Sequence, residues 1–232
     1  MRYPKGAYPL KKIIQLGLVF MLIFTGGCGM SKEKGNGKID ASTLPETEAF
    51  KDEFTREFMA SSEEVEEGYY TFESKTKGYT MLFPVNAAIS STSYDSQEDF
   101  FETFNFGEGV KENNLSRYVT ITYEDKPTTK NIEFNLDMLS EHAGYETSFE
   151  KIHNGENLIY YGKGSQTIND TEIKKKADFY GYFGYIQSQK NEKGIQFFYE
   201  VTCMDADQSC KIDVKSEEEN ALLIMKSIDF TK

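Results

Sequence analysis

Alternating apolar and polar residues dominate the middle and the second half of the chain, and this pattern predicts antiparallel strands. Arg117–Tyr123 consists mainly of β-branched and aromatic residues, which favour strands. Further alternating stretches lie in pairs around short polar or glycine-containing segments. Each pair predicts a hairpin, over 69–74 with 79–84, 145–152 with 156–162, and 177–189 with 195–203. The stretch 99–106 fits neither the strand nor the helix period.

Other segments have apolar residues at helical spacing. Phe50, Phe54 and Phe58 are four residues apart and share one face of a helix. Three helices are predicted. The first runs from Thr43 into the acidic stretch 63–68, and the second covers Ile132–Ala143 and ends at Gly144. The third begins at a capping box formed by Ser216 and Glu219. Because hairpin strands are antiparallel and each helix has one apolar face, the pattern predicts an α+β fold, a mostly antiparallel β-sheet packed against helices.

The first 27 residues differ from the rest of the chain. Four basic residues and no acidic one accompany the apolar run Ile13–Phe24, which ends in small residues. As a helix this run spans about 18 Å, which is short of a bilayer core of about 30 Å. A basic start, a short apolar run and small residues after it are typical of a secretory signal peptide.

Cys28 follows this segment directly, and Thr25-Gly26-Gly27-Cys28 resembles the lipobox of bacterial lipoproteins, with Thr25 in place of the usual Leu. The resemblance implies cleavage before Cys28 and a diacylglyceryl group on its thiol, which would anchor the protein to the extracytoplasmic face of the cell membrane. Residues 28–42 are polar and Gly-rich and predict a flexible tether, and 43–232 predict a single domain. The alternative is an ordinary secretory signal with an incidental Cys.

Charge narrows the range of partners. The 232 residues include 26 basic and 38 acidic side chains, for a net charge of −12. Removal of residues 1–27 takes away four positive charges and no negative one, which leaves a net charge of −16. Such a chain is predicted to bind no nucleic acid, because phosphate binding needs a basic surface. The domain would also be repelled by anionic lipid headgroups and would stand off the membrane on its tether.

Residues with catalytic or metal-binding chemistry are sparse. Two His and three Cys leave little material for a zinc site or a His-based active site, and common hydrolase and phosphate-loop motifs are absent from the sequence. Asp205, Asp207 and Asp213 resemble a calcium loop, but Cys210 stands where that loop needs Gly. We therefore predict an acidic hairpin tip there, with no metal and no cofactor.

Cys203 and Cys210 predict a disulfide. They are seven positions apart, after a predicted strand, and thiols outside the cytoplasm tend to pair. A redox role is disfavoured because the spacing is not Cys-x-x-Cys.

The aromatic block 178–185 contains Tyr180, Tyr182 and Tyr185 together with two glycines. Exposed tyrosines at this density can stack on sugars or form a protein-binding face, so the three are candidates for a binding surface. Aromatic residues also fill the core faces of strands, and that interpretation competes with the first.

Gly78 followed by Tyr79-Thr80-Met81-Leu82-Phe83-Pro84 resembles the start of the PsbP-like superfamily, and a late helix running into 227–230 is similar to its end. The resemblance implies an antiparallel sheet between helices and implies no activity, since members serve as accessory, binding or assembly factors. The function predicted is a non-catalytic binding or accessory module with an envelope protein or glycan as partner. The alternative is an envelope enzyme that acts on glycan through two converging carboxylates, one with a raised pKa.

Overall fold

The computed structural model describes residues 44–144, 147–170, 175–205 and 208–231, all within one compact unit. The predicted signal peptide, Cys28, the tether, Tyr145 and Asp207 lie outside the described residues.

The described residues form an α+β fold, as predicted. Four α-helices are α1 (Glu48–Lys51), α2 (Glu53–Arg56), α3 (Ile132–Ala143) and α4 (Val214–Ser227). Six strands in the first part of the domain are β1 (Tyr69–Glu73), β2 (Tyr79–Pro84), β3 (Ala87–Ile89), β4 (Asp95–Gln97), β5 (Phe101–Val110) and β6 (Leu115–Asp125). The other five are β7 (Glu150–Asn154), β8 (Asn157–Asp170), β9 (Lys175–Ser188), β10 (Lys193–Cys203) and β11 (Asp229–Phe230).

Two antiparallel sheets carry the fold. The small sheet has the order β1-β2-β11. The large sheet has the order β3-β5-β6-β10-β9-β8-β7, and β4 pairs with the outer part of β5. All three predicted hairpins are present, as β1–β2, β7–β8 and β9–β10.

The large sheet has two faces with different covers. Its inner face packs against the small sheet and α4, around fully buried rings that include Phe72, Tyr79, Phe104 and Phe197. Its outer face is covered in part by α3, over a second core of Leu139, Tyr160, Phe183 and Tyr185. The alternation along each strand therefore buries residues on both sides of the sheet, but in separate cores.

Local signals set several element ends. Gly144 ends α3 in the left-handed conformation at φ 69°, as predicted for a helix C-terminus. Gly155 has φ 60° in the two-residue turn between β7 and β8, a conformation that costs little without a Cβ. These two glycines explain why the second predicted hairpin, β7–β8, and the second predicted helix, α3, could be located from the sequence.

Two sequence predictions about local structure need correction, and one stretch that the pattern left open is now assigned. The first predicted helix is broken at Asp52, whose extended backbone lets its carboxylate cap α2 through the Thr55 N–H and hydroxyl. The last helix starts at Val214 with Asp213 as its cap, two residues before the predicted Ser216. The ambiguous stretch 99–106 falls mostly in β5, because pairing with β6 decides its structure.

Candidate functional site

The tyrosines of β9 do not form a solvent-facing surface, so the predicted binding surface is wrong in its residues. Tyr182 and Tyr185 are each only 2% exposed, and Tyr180 is partly buried against the main core. The Tyr182 hydroxyl donates to the Val214 carbonyl oxygen at 2.7 Å. The Tyr185 hydroxyl donates to the Thr129 carbonyl oxygen at 2.8 Å.

The physical reason is that β9 lies centrally in the large sheet and both of its faces are covered. Residues of β9 that face inward meet the main core, which includes α4, and those that face outward meet α3. Burial raises the pKa of both the Tyr182 and the Tyr185 hydroxyl, which is the behaviour of core tyrosines. These rings stabilise the domain.

A small recess on the inner face adjoins a buried ion cluster. Arg117 of β6 donates from Nε and Nη2 to both carboxylate oxygens of Glu217 on α4, at 2.8 Å each. Its Nη1 donates to Glu108 at 2.8 Å. The Tyr199 hydroxyl donates to Glu217 at 2.5 Å. We call these four residues the Arg117 cluster.

The Arg117 cluster is arranged for stability. Burial acts to raise the pKa of Glu217, but hydrogen bonds from Arg117 and Tyr199 outweigh it and hold that pKa below its ordinary value. A general acid for glycan hydrolysis needs the opposite shift. The adjoining recess has room of about 20 Å³, enough for a water molecule, whereas small-molecule pockets have about 300–1,000 Å³.

A second buried carboxylate joins the small sheet to the large one. Glu102 of β5 is fully buried and accepts hydrogen bonds from the Tyr79 hydroxyl at 3.1 Å, the Tyr94 hydroxyl at 3.1 Å and the Lys75 N–H at 2.9 Å. Burial raises the pKa of Tyr79. Since all three donors are neutral and one of them is the backbone N–H of Lys75 in the β1–β2 turn, this arrangement fixes that turn.

Cys203 and Cys210 form a disulfide in the structure, with Cα atoms 6.0 Å apart. Closing so short a loop contributes about 2–3 kcal/mol on the chain-entropy model. Within the residues that the structure describes, no group of three or more His, Cys, Asp or Glu side chains could hold a metal ion.

α3 leaves part of the outer face open over β5 and β6, while its last turn reaches Phe198 of β10. Seven large hydrophobic side chains are exposed among the described residues, and five of them lie on the outer face or on the exposed side of α3, the helix that covers part of it. They are Tyr118, Phe134, Met138, Ile168 and Met204. Scattered exposed hydrophobic residues are normal, but their concentration on one face is informative.

The end of α3 meets the outer face at β10, and β6 lies next to β10. The His142 ring at the end of α3 lies 4.5 Å from the Phe198 ring, which faces outward from β10. Met138 and Phe134 lie one and two turns before His142 on the same stripe of α3. Tyr118 of β6 is the diagonal cross-strand neighbour of Phe198. We call Tyr118, Phe134, Met138 and Phe198 the outer patch.

The outer patch is accessible and borders a floor of small side chains. Tyr118 is 47%, Phe134 52% and Met138 43% exposed, and Phe198 is partly buried. The floor beside it is formed by outward residues of β5 and β6, namely Thr103, Asn105, Gly107, Ser116, Thr120 and Thr122. A flat floor with aromatic and thioether side chains along one side suits a protein surface better than a small molecule.

Sequence signals for the outer patch existed but were not used. Phe134 and Met138 are four residues apart on the polar side of a predicted helix, and Tyr118 occupies a polar position in the alternation of 117–123. Large apolar residues at positions that the pattern assigns to solvent are the mark of a contact surface. The aromatic density of 178–185 is a weaker signal because a central strand has no solvent side.

None of the helices in the described ranges is both long and apolar enough to span a bilayer. A protein-family model described as "Putative lipoprotein YvcA" matches residues 45–229. The chain belongs to this family. The YvcA family match covers the whole domain from before α1 to β11.

A relative from Bacillus subtilis (strain 168), named "Putative lipoprotein YvcA", is 30% identical over 235 residues. The alignment covers 95% of this chain and 97% of the relative. No solved structure matches the chain. The lipoprotein family that the N-terminal segment predicted is thereby supported, whereas the resemblance to the PsbP-like superfamily stays a prediction.

Proposed function

We propose that this protein is a lipid-anchored protein of the cell envelope, held by Cys28, and that its domain is a non-catalytic binding module. The outer patch is its docking surface. The domain would stand away from the membrane on residues 28–42 and hold a partner at the extracytoplasmic face.

The anchor is supported by sequence and by relationship. A short apolar run ends in Thr25-Gly26-Gly27-Cys28, and two acyl chains on one Cys suffice for stable anchoring. The alignment to the Bacillus relative leaves out only about 12 residues of this chain, so it extends through the position of Cys28. A relative named as a lipoprotein therefore matches both the anchor region and the domain.

A single observation carries the binding function: five of seven exposed large hydrophobic side chains lie on or beside one face of the large sheet. Protein-binding surfaces combine aromatic residues and Met at the centre with a polar rim. The competing hypothesis of a carboxylate enzyme is disfavoured by the recess of about 20 Å³ and by the carboxylates that Arg117 already holds.

A double substitution tests the docking surface. We expect Tyr118→Thr with Phe134→Ala to lower partner recovery about tenfold or more, since the two aromatic anchors together contribute about 1.4 kcal/mol or more. Recovery is measured as the adduct that forms when membranes carrying the full-length chain are treated with a soluble chemical cross-linker. Thr suits a strand and Ala a helix, so the free energy of unfolding should change by less than about 1 kcal/mol.

The matched control is Val65→Thr, which removes an exposed apolar side chain from the loop before β1. It should leave the adduct unchanged. Equal adduct yields from the double variant and the control would contradict the outer patch as docking surface.

A further inference from the structure

We infer that the outer patch binds a basic segment of another envelope protein, in which an Arg side chain lies over Tyr118 and Glu200 between apolar neighbours. This inference rests on the proposed function and adds the chemistry of the partner.

The helix beside the outer patch carries three acidic residues and no Lys or Arg. Glu133, Asp137 and Glu141 are exposed on α3, and the segment Ile132–Ala143 contains no Lys or Arg. No ion pair of these three carboxylates is found within the described residues. A partner that approaches Phe134 and Met138 therefore meets an uncompensated negative rim.

The sheet floor adds a carboxylate at the centre. Glu200 of β10 lies directly opposite Tyr118 of β6 in the antiparallel register. Cross-strand neighbours have Cβ atoms about 4.5–5.5 Å apart. Glu200 is partly buried, and burial raises the pKa of its carboxyl group. A cation placed above Glu200 would restore the stabilisation that the carboxylate loses on leaving water.

Tyr118 and Glu200 belong to one row of cross-strand neighbours, and a glycine flanks the pair on each side. Gly107 of β5 lies beside Tyr118, and Gly181 of β9 lies beside Glu200. Neither glycine puts a side chain next to the pair, so a planar group can lie flat on the Tyr118 ring. Guanidinium combines stacking on an aromatic ring with paired hydrogen bonds to a carboxylate, which a Lys ammonium cannot do.

Two lysines of the described residues near this face make contacts of their own. The Lys126 Nζ lies 3.4 Å from Glu124 Oε1 and also lies over the Phe100 ring. Lys130 donates to the Ser188 carbonyl oxygen at 3.1 Å. Lys130 keeps its positive charge just before α3, but the three carboxylates of α3 outnumber it, and electrostatic complementarity favours a basic partner.

The same charges disfavour other occupants. Anionic headgroups and wall polymers would be repelled. A second copy of this chain docked through the same patch would bring the acidic rim against itself, because a two-fold interface is self-complementary.

The test uses the full-length anchored chain with a photo-cross-linking amino acid at Phe134. We expect an adduct whose attachment site on the partner lies in a segment rich in Arg and Lys. Asp137→Lys with Glu141→Lys should lower the adduct yield about fivefold or more, and Glu200→Gln about threefold or more. Both variants should weaken the dependence of yield on NaCl concentration.

The matched control is Glu63→Lys with Glu67→Lys, which changes the net charge equally in an exposed loop away from the patch. It should keep most of the yield. An adduct that is insensitive to Asp137→Lys with Glu141→Lys, or that maps to an acidic segment, a glycan or a second copy, overturns this inference and leaves the docking surface standing. The absence of any adduct overturns the docking surface itself.

Discussion

Replacing Arg117 by Met lowers the free energy of unfolding by about 3–5 kcal/mol, because it leaves two carboxylates without their cation. Glu217 is 3% and Glu108 15% exposed at the side chain, and Arg117 donates to both. Met keeps most of the aliphatic volume, so the loss reports the charge and not a cavity. Urea denaturation of the soluble domain measures it.

The control for Arg117→Met is Lys215→Met, which removes the exposed 3.6 Å ion pair with Glu219 on the same helix. We expect Lys215→Met to lower the free energy of unfolding by less than about 1 kcal/mol. A loss below about 1 kcal/mol for Arg117→Met as well would contradict a buried ion cluster between β6 and α4.

The pH dependence of this loss has a defined sign. The pKa of Glu217 is lowered in the folded protein from its ordinary value of 4.5. The stabilisation is therefore present above pH 4.5 and is lost as the pH falls through the lower pKa of the folded state. The difference in stability between the native chain and Arg117→Met should shrink as the pH falls below 4.5.

Replacing Cys28 by Ala should abolish membrane anchoring, because the thiol is the proposed site of acylation and one residue carries the whole anchor. We expect the protein to accumulate as an uncleaved precursor or in the soluble fraction. Labelled fatty acid should be incorporated into the native chain and not into Cys28→Ala. Fractionation and metabolic labelling measure the two effects.

Ser31→Ala, in the same polar segment, is the control for Cys28→Ala and should remain acylated and membrane-bound. Undiminished acyl labelling of Cys28→Ala would refute the assignment. In that case Cys28 would be an incidental residue after an ordinary secretory signal.

Local sequence signals predicted the parts of the fold that depend on neighbours in the chain. Gly144 marked the end of α3, Asn154-Gly155 marked the β7–β8 turn, and alternation placed β6. Where two local options compete, the prediction failed: Asp52 stops α1 and caps α2 although Phe50 and Phe54 have helical spacing.

Features that depend on distant residues could not be predicted in this way. Arg117 and Glu217 are 100 positions apart, and nothing near either residue indicates the other. Tyr182 and Tyr185 lie in β9, where successive side chains point to opposite faces of the sheet. Whether both faces are buried depends on where α3 and α4 pack. The outer patch likewise exists because α3 covers only part of its sheet.

The most direct test of a membrane-anchored domain that docks through the outer patch is the reactivity of a new thiol at Met138 with maleimide. Met138→Cys adds a lone reactive thiol, because Cys203 and Cys210 form a disulfide and an acylated Cys28 has no free thiol. The account predicts labelling about fivefold slower in native membranes than after purification, while Val65→Cys reacts at the same rate in both. Equal rates for Met138→Cys in the two states would contradict it.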